Sequence, residues 1–158
     1  MTMENVLAYD TVEAWGHENI RATHTTTFEL TKDVDVTPKG DCIIGVKLNK
    51  GVAELNQKLL DIVKRDYTVV VLILEVDELR DVVLARGSSK LILLDRQRIV
   101  VRKSKFVGPE TLAIEANKAA KDISREIIKK LQEPSTRLVV HIYAFDIKVF
   151  MNTKHIFY

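Results

Sequence analysis

The chain has 158 residues, of which 46% are hydrophobic and 29% charged, and it contains only six glycines and three prolines. This composition is typical of one folded domain and excludes a disordered or low-complexity chain. Because 24 basic residues nearly balance 22 acidic ones, the net charge of +2 excludes a general electrostatic attraction to nucleic acid or membranes. We therefore expect a single domain over residues 1–158.

The cellular context follows from what the sequence does not contain. A single cysteine, Cys42, excludes an intrachain disulfide and fits a reducing compartment. Residues 1–15 carry no signal-peptide pattern, and the longest apolar run, Val69 to Leu74, is too short to cross a bilayer. We expect a soluble cytoplasmic protein with no membrane partner. The scarcity of glutamine among many charged residues is a bias of proteins from thermophiles.

The first half of the chain predicts strands around a polar hairpin. Alternating polarity indicates a short strand at residues 7–15 and a stronger one at residues 20–31. A turn at Thr37-Pro38-Lys39-Gly40 then returns the chain as an antiparallel strand at residues 42–48. Apolar residues at helical spacing predict a helix over about 52–65.

The second half begins with a β-branched run at residues 68–76, which predicts a central strand covered on both faces. Closely spaced strands are expected at residues 79–85, 90–94 and 97–103, and connections this short favour an antiparallel meander. No internal repeat is visible at periods of 20–50 residues.

A second helix is predicted to end near Gln132, just before Pro134. Gly108-Pro109-Glu110 could open it, but Asn117 is also a good N-cap, and we prefer this later start, which places the helix at about 117–132. Residues 137–150 predict a long strand that is covered on both faces or carries a bulge, and residues 153–158 could add an edge strand. The predicted fold is mainly β, an antiparallel β-sandwich of jelly-roll type with two packed α-helices at about 52–65 and 117–132.

Several polar motifs at the two ends of the chain carry a family resemblance. They are Gly-His-Glu-Asn-Ile (16–20), Ala-Thr-His (22–24), Thr-Thr-Phe-Glu-Leu-Thr (26–31), Gly-Asp-Cys-Ile (40–43) and Asn-Lys-Ala-Ala-Lys-Asp (117–122) followed by Arg125. With these motifs the chain resembles a family of small archaeal proteins described only as a domain of unknown function. The resemblance implies a mainly β, jelly-roll-like fold and a cytoplasmic protein from an archaeon. It implies no activity, cofactor or catalytic residue.

The polar hairpin is the candidate site, because it gathers imidazole, amide, hydroxyl and carboxylate groups on otherwise apolar strands. We expect a binding module whose small-ligand or anion pocket is lined by His17, Asn19, His24, Thr26 and Asp41. Asn117, Lys118 and Arg125 join this set because a helix start favours anions. In the alternative reading, His24 is a hydrogen-bonded inward histidine and Asp41 caps a turn.

A metal-assisted, hydrolase-like enzyme using the same histidines is a second hypothesis. His24 and Glu29 are five residues apart and so face opposite sides of a regular strand, which opposes a shared metal ion. Cys42 is read as a small buried side chain. The sequence therefore assigns no catalytic residue, no cofactor and no metal site.

Two kinds of macromolecular partner are also considered. Nucleic acid could bind a basic strand that consists of Arg96, Arg98, Arg102, Lys103 and Lys105, with Phe106 available to stack a base. The alternative is a charged outer strand face that prevents edge pairing. The apolar C-terminal end, Ile156-Phe157-Tyr158, makes a homo-oligomer reasonable.

Overall fold

The computed structural model describes residues 6–151. Its eight strands are β1 Leu7–Trp15, β2 Thr27–Thr31, β3 Ile43–Gly45, β4 Thr68–Val76, β5 Leu79–Arg86, β6 Arg98–Arg102, β7 Thr111–Ala113 and β8 Arg137–Asp146. Its α-helices are α1 Gln57–Val63, α2 Arg125–Lys130 and α3 Lys148–Met151, and 3-10 turns at Val52–Glu54 and Ala120–Asp122 precede the first two. No helix within residues 6–151 is long and apolar enough to span a membrane.

The strands form two four-stranded sheets that enclose the core. The first sheet has the order β1-β8-β4-β5 and is antiparallel throughout. The second has the order β3-β2-β6-β7, with an antiparallel centre and a parallel pair at each edge. Antiparallel bridges from Trp15 to Val46 and from Arg86 to Ile114 join the sheets at both edges. The predicted mainly β, sandwich-like fold with two packed helices is confirmed.

The parallel edges correct the predicted hairpin. β2 and β3 run in the same direction, because the chain between them does not turn back directly after β2. The strand expected at residues 20–31 begins only at Thr27, and the one expected at residues 90–94 is a loop. In both loops one residue adopts a positive φ, 51° at Ala22 and 57° at Leu93, which ends an extended strand.

Both predicted helices are present but shorter. Each begins as a 3-10 turn and then leaves the helical conformation for two residues, Leu55 and Asn56 or Ile123 and Ser124. The second residue of each pair caps the α-helix that follows. The prediction that Asn117 is the N-cap of the second helix is therefore wrong.

The long strands β4 and β8 are covered more fully on one face than on the other. Alternate residues of β4 are buried and half-buried, so the predicted full coverage of both its faces is wrong. β8 pairs on both sides in continuous register without a bulge and ends at Asp146, after which Lys148–Met151 is helical. The edge strand predicted at residues 153–158 lies outside the described residues.

The two halves of the chain repeat the same structure. The elements β1, β2, β3, 3-10 turn, α1 and β4 recur in that order as β5, β6, β7, 3-10 turn, α2 and β8. Matching residues are separated by 71 positions up to the second strand, as in Trp15 and Arg86, and by 68 positions from the third strand onward, as in Val46 and Ile114. The sheet orders are unchanged when the halves are exchanged, so an approximate twofold axis relates them.

The halves interlock at two matching glycines. Gly16 N donates to Thr136 O in the other half, and Gly87 N donates to Thr68 O in the same way. A Cβ atom on either glycine would overlap a carbonyl oxygen of the facing half. The close approach of the halves therefore requires glycine at both positions.

Candidate functional site

Two distant motifs meet at one corner of the molecule. The guanidinium of Arg125 donates to the carbonyl oxygens of Ala22 at 3.0 Å, Ala120 at 2.8 Å and Ile123 at 3.1 Å. Lys121 N donates to His24 O at 3.1 Å. The loop around His24 is thus fixed to the segment that precedes α2. We call the region of His24, Thr26, Lys103, Lys121 and Arg125 the His24 corner.

His24 is half-exposed at this corner, and its ring is oriented by its own loop. Its Nδ1 atom accepts a hydrogen bond from Thr26 N at 3.2 Å, so the neutral ring carries its proton on Nε2. No hydrogen bond to Nε2 forms within the described part of the chain, which leaves this N–H group available to a ligand. Thr26 N and O are themselves fixed, since Lys103 N donates to Thr26 O at 2.8 Å.

Cations outnumber carboxylates at the corner. Lys103 and Lys121 are exposed, and the Lys103 Nζ atom lies 3.5 Å from Asp122 Oδ2. The backbone N–H of Ala119 lowers the pKa of Asp122, and the charge of Lys103 lowers it further, so this carboxylate is ionised at neutral pH. With Arg125 included, the corner contains three cations, and the carboxylates of the segments joined to it are Asp122 and Asp41.

His17 and Asn19 lie in a separate cluster. His17 Nε2 is 2.7 Å from Asp35 Oδ1, and His17 Nδ1 accepts from Asn19 N at 3.0 Å. The side chain of Asn19 donates to Val36 O at 3.0 Å. Both ring nitrogens of His17 are therefore engaged, and no hydrogen bond joins this cluster to the His24 corner within residues 6–151.

Asp41 contributes through its backbone. Its carbonyl oxygen accepts hydrogen bonds from Thr23 N at 3.0 Å and His24 N at 3.2 Å, which holds the His24 loop against the start of β3. The side chain is half-exposed. Of the five residues predicted from the hairpin, the structure joins His24, Thr26 and Asp41 by hydrogen bonds, and it pairs His17 with Asn19 elsewhere.

Asn117 and Lys118 connect a loop to β5. Asn117 Oδ1 accepts from Leu84 N at 2.9 Å, and Lys118 forms an ion pair with Asp81. Asn49 and Lys50 make the matching bonds in the first half, to Glu13 N at 2.9 Å and Asp10 at 2.8 Å. The Asn-Lys pair is thus a repeated structural connection, and among the three C-terminal residues predicted for the site only Arg125 reaches the His24 corner.

In the first half of the chain, the connection made by Asn49 and Lys50 is centred on the carboxylate of Asp10. This carboxylate accepts from Thr11 N at 2.7 Å, Asn56 N at 2.8 Å and Lys50 Nζ at 2.8 Å. Burial alone would raise the pKa of Asp10, but these bonds outweigh burial and lower it. Asp81 repeats the arrangement with Val82 N, Ser124 N and Lys118.

Glu29 and Cys42 lie near each other beside β2. Burial raises the pKa of the Cys42 thiol to about 11, and the charges of Glu29 and Asp41 raise it as well. The thiol is therefore protonated at neutral pH and is a poor nucleophile. Burial also raises the pKa of Glu29, although Arg98 opposes the shift.

The basic strand is neutralised by carboxylates of the same chain. Five ion pairs are formed, namely Arg96 with Glu54, Arg98 with Asp95, Arg102 with Glu110, Lys103 with Asp122 and Lys105 with Glu115. Phe106 is 63% exposed, but the guanidinium of Arg102 lies 4.8 Å from its ring centre. Phosphate groups would have to displace these carboxylates. Nucleic-acid binding stays a prediction that this geometry does not favour.

The metal hypothesis receives no geometric support. Within residues 6–151, no group of three or more histidine, cysteine, aspartate or glutamate side chains is close enough to hold one ion.

A shallow cleft beside Gly87 is the twofold counterpart of the His17 cluster. Arg86, Lys90 and Lys105 contribute positive charge to it. Asp66 already occupies the available donors, because its carboxylate accepts from Ser89 N at 2.8 Å and Ser89 Oγ at 3.1 Å. These donors of the cleft are therefore already engaged within the chain.

Comparison with known proteins places the chain in a family. The model of the family described as "Domain of unknown function (DUF371)" matches residues 12–145. The chain belongs to the DUF371 family. An uncharacterized protein of Methanocaldococcus jannaschii is 42% identical to it over 122 residues, which are 77% of this chain and 90% of the relative. The resemblance to an archaeal family of unknown function is therefore confirmed.

The motifs of this DUF371 chain at residues 16–43 and 117–125 both lie inside the matched range. The His24 corner is thus built from the part of the chain that is shared with the DUF371 family. Sequence reasoning missed Asp35, Lys121 and Asp122 as neighbours of the motif histidines. For Lys121 and Asp122 a signal was present, since both lie inside the C-terminal motif itself.

Proposed function

We propose that this DUF371 protein is a binding module that takes a small anionic ligand at the His24 corner. The observation that carries the proposal is the hydrogen bonding of Arg125 and Lys121 to the His24 loop, which brings two polar motifs about 100 residues apart in sequence into one place. Convergent donors beside a positive charge are what a phosphate or carboxylate group requires.

Each residue has a distinct role in this proposal. The Nε2–H group of His24 donates to the anion, and Lys103 and Lys121 supply charge. Arg125 acts as a positioning residue, because its guanidinium is committed to three carbonyl oxygens and so holds the loop in place. Thr26 fixes the tautomer of His24.

The twofold counterpart of the corner supports this assignment. Ala53 N donates to Asp95 O at 2.9 Å, as Lys121 N does to His24 O. Where the second motif has Lys121 and Arg125, the first half has Ala53 and Gln57, and Asp95 replaces His24. The backbone contact that Lys121 makes is therefore formed equally well by alanine in the other half, so this contact does not explain the lysine side chain.

The test is a titration of the full chain with inorganic phosphate and pyrophosphate, followed by NMR chemical shifts and calorimetry. Lys121→Ala removes one cation and should weaken binding roughly tenfold, the usual value of one charge-assisted hydrogen bond. Lys39→Ala, at an exposed lysine outside the corner, is the matched control and should leave the affinity unchanged. Equal affinity of wild type and Lys121→Ala, or no binding of either probe, would refute the proposal.

The reverse experiment transplants the corner. The double variant Ala53→Lys with Asp95→His places the same two side chains on the matching backbone of the other half. We expect a second binding site, measured as an increase in stoichiometry from one to two. An unchanged stoichiometry in a folded variant would contradict the roles given to His24 and Lys121.

The hydrolase alternative is less well supported. A general base needs a ring nitrogen that can accept a proton from the substrate. In His17, Nδ1 already accepts from Asn19 N and Nε2 contacts Asp35. In His24, Nδ1 accepts from Thr26 N. Both histidines are thus held in states that favour donation over proton abstraction.

A further inference from the structure

The outer face of the first sheet is unusually apolar for a surface that the described residues cover only at one end, where Phe150 of α3 stacks on Phe145. Twelve outward positions form three cross-strand rows of four residues each. The rows start at Leu7, Tyr9 and Thr11 on β1 and end at Arg86, Leu84 and Val82 on β5. Only Thr11, His141 and Arg86 among the twelve are polar. An antiparallel sheet with one solvated face normally alternates apolar and polar residues. We call this surface the apolar face and define it by Leu7, Tyr9, Val71, Val82, Leu84 and Tyr143.

The side chains of the apolar face are accessible. The exposed fraction is 37% for Leu7, 42% for Tyr9, 43% for Val82, 47% for Leu84 and 37% for Tyr143. The one imidazole among them is satisfied within the chain, because His141 Nδ1 is 2.9 Å from the Tyr9 hydroxyl and Nε2 is 3.5 Å from Glu75. Covering this surface would therefore bury mainly apolar area.

The second sheet provides a contrast within the same molecule. The face of β2 and β6 that points away from the first sheet carries Thr27, Glu29, Thr31, Arg98 and Arg102 with Val100 as its one apolar residue, and Thr27, Thr31 and Val100 are buried by the chain itself. The excess of apolar residues is thus a property of one sheet and not of the composition as a whole.

We infer that the apolar face binds a second copy of this chain in a twofold-symmetric homodimer. Four strands spaced by about 4.8 Å and some nine residues long give a surface of roughly 19 by 30 Å. With the charged row included, this surface has an area of roughly 570 Å², so the interface is smaller than the standard one, in which each partner buries roughly 800 Å². Face-to-face packing of two sheets is a common way to bury such a surface.

The charges at one end of the apolar face select the symmetry axis. The strand order β1-β8-β4-β5 places Glu13, Arg137, Glu75 and Arg80 in the sequence acid, base, acid, base. A twofold axis parallel to the strands brings β1 over β5 of the partner and β8 over β4. Glu13 then faces the partner's Arg80, and Arg137 faces the partner's Glu75. An axis across the strands would instead place these charges over Leu7 and Phe145, which is unfavourable.

The first test is the mass of the protein in solution by light scattering and sedimentation. We expect the wild-type chain to be a dimer and Leu84→Asp to raise the Kd at least about 100-fold, the effect of an unpaired buried charge. Leu94→Asp, at a residue that is 71% exposed outside the apolar face, should leave the dimer intact. A wild-type chain that stays monomeric at roughly 100 µM, above the Kd range of standard interfaces, would overturn the inference.

A mixing experiment tests the axis itself. Arg80→Glu and Glu13→Arg each place like charges together across the interface and should each weaken the dimer. In an equimolar mixture, the two variants form a heterodimer in which both facing pairs are again of opposite charge, so native mass spectrometry should show mainly the mixed dimer. Arg96→Glu is the matched control, because Arg96 pairs with Glu54 as Arg80 pairs with Glu75 but lies outside the apolar face. A mixture no more dimeric than its components would overturn this arrangement.

Discussion

Replacing Asp10 or Asp81 by asparagine should destabilise the fold by similar amounts. Each carboxylate accepts from two backbone N–H groups, and one of these belongs to the residue that caps the following helix. Asparagine retains one acceptor oxygen but loses the charge, so at least one of these N–H groups is left with a weaker partner or none. Hydrogen bonds to a charged group are worth about 1.5–3 kcal/mol each.

Lys50 contributes less to this cost, because its side chain is 35% exposed and water can replace the carboxylate. We therefore expect each variant to lose about 2–4 kcal/mol of unfolding free energy, dominated by the backbone donors. In a chain of this length the midpoint of thermal unfolding should fall by roughly 5–12 °C.

Urea denaturation of Asp10→Asn, Asp81→Asn and the double variant would measure these losses. Asp77→Asn is the control, because Asp77 is exposed and pairs only with Lys130 among the described residues, and it should change the stability by less than about 0.5 kcal/mol. Since the pKa of Asp10 is lowered in the folded protein, its contribution is fully present above its ordinary pKa of 3.8 and is lost as the pH falls below that value. A loss below about 0.5 kcal/mol in either variant would refute the reasoning.

Three further predictions concern a thiol, a carboxylate and the glycines. The pKa of Cys42 is about 11, against an ordinary value of 9.0. Its alkylation by iodoacetamide at pH 8 should therefore be roughly 100-fold slower in the native protein than in urea. Equal rates would contradict the burial of the thiol. Since burial raises the pKa of Glu29, folding favours its protonated form, and Glu29→Gln should raise the stability at pH 7. This gain shrinks as the pH falls through the raised pKa and is gone below the ordinary value of 4.5. If the ionised carboxylate of Glu29 were well solvated, urea denaturation at pH 7 would show no gain in stability. Gly16→Ala and Gly87→Ala should each cost at least about 2 kcal/mol in the same assay, because the added Cβ overlaps backbone of the facing half. A tolerated alanine at either glycine would show that the halves can separate locally.

The regular elements of the fold follow from local patterns. Residues 68–76 and 79–86 form strands because β-branched and apolar residues dominate both segments, and both segments alternate between the core and the outside. The loops at residues 20–26 and 90–97 do not follow from such patterns. Their apolar residues Ile20 and Leu91 are buried although the backbone of both loops is irregular. The backbone N–H groups of the first loop donate to Asp41 O, and those of the second donate to Pro109 O. Periodicity cannot distinguish this arrangement from a strand, because both bury alternate side chains.

The candidate site was only partly predictable for a related reason. The motif around His24 stands out by composition, but His17 and His24 are directed apart by the positive φ at Ala22 and by the burial of Ile20 between them. The meeting of Arg125 with Ala22 depends on a contact between residues 103 positions apart, which no local pattern encodes.

The internal repeat separates residues that the fold needs from residues that serve another purpose. Positions with the same role in both halves, such as Asp10 and Asp81 or Gly16 and Gly87, are explained by structure alone. Positions that differ between the halves need a closer comparison. His24 matches Asp95, and the backbone groups of the two residues donate and accept the same hydrogen bonds. The side chains of His24 and Asp95 both accept a hydrogen bond from the backbone N–H two residues further on, and Lys103 pairs with Asp122 as Lys32 pairs with Glu54. Lys121 has no such counterpart, because the first half has Ala53 at its position. An anionic ligand is the explanation that the chemistry of this lysine side chain supports.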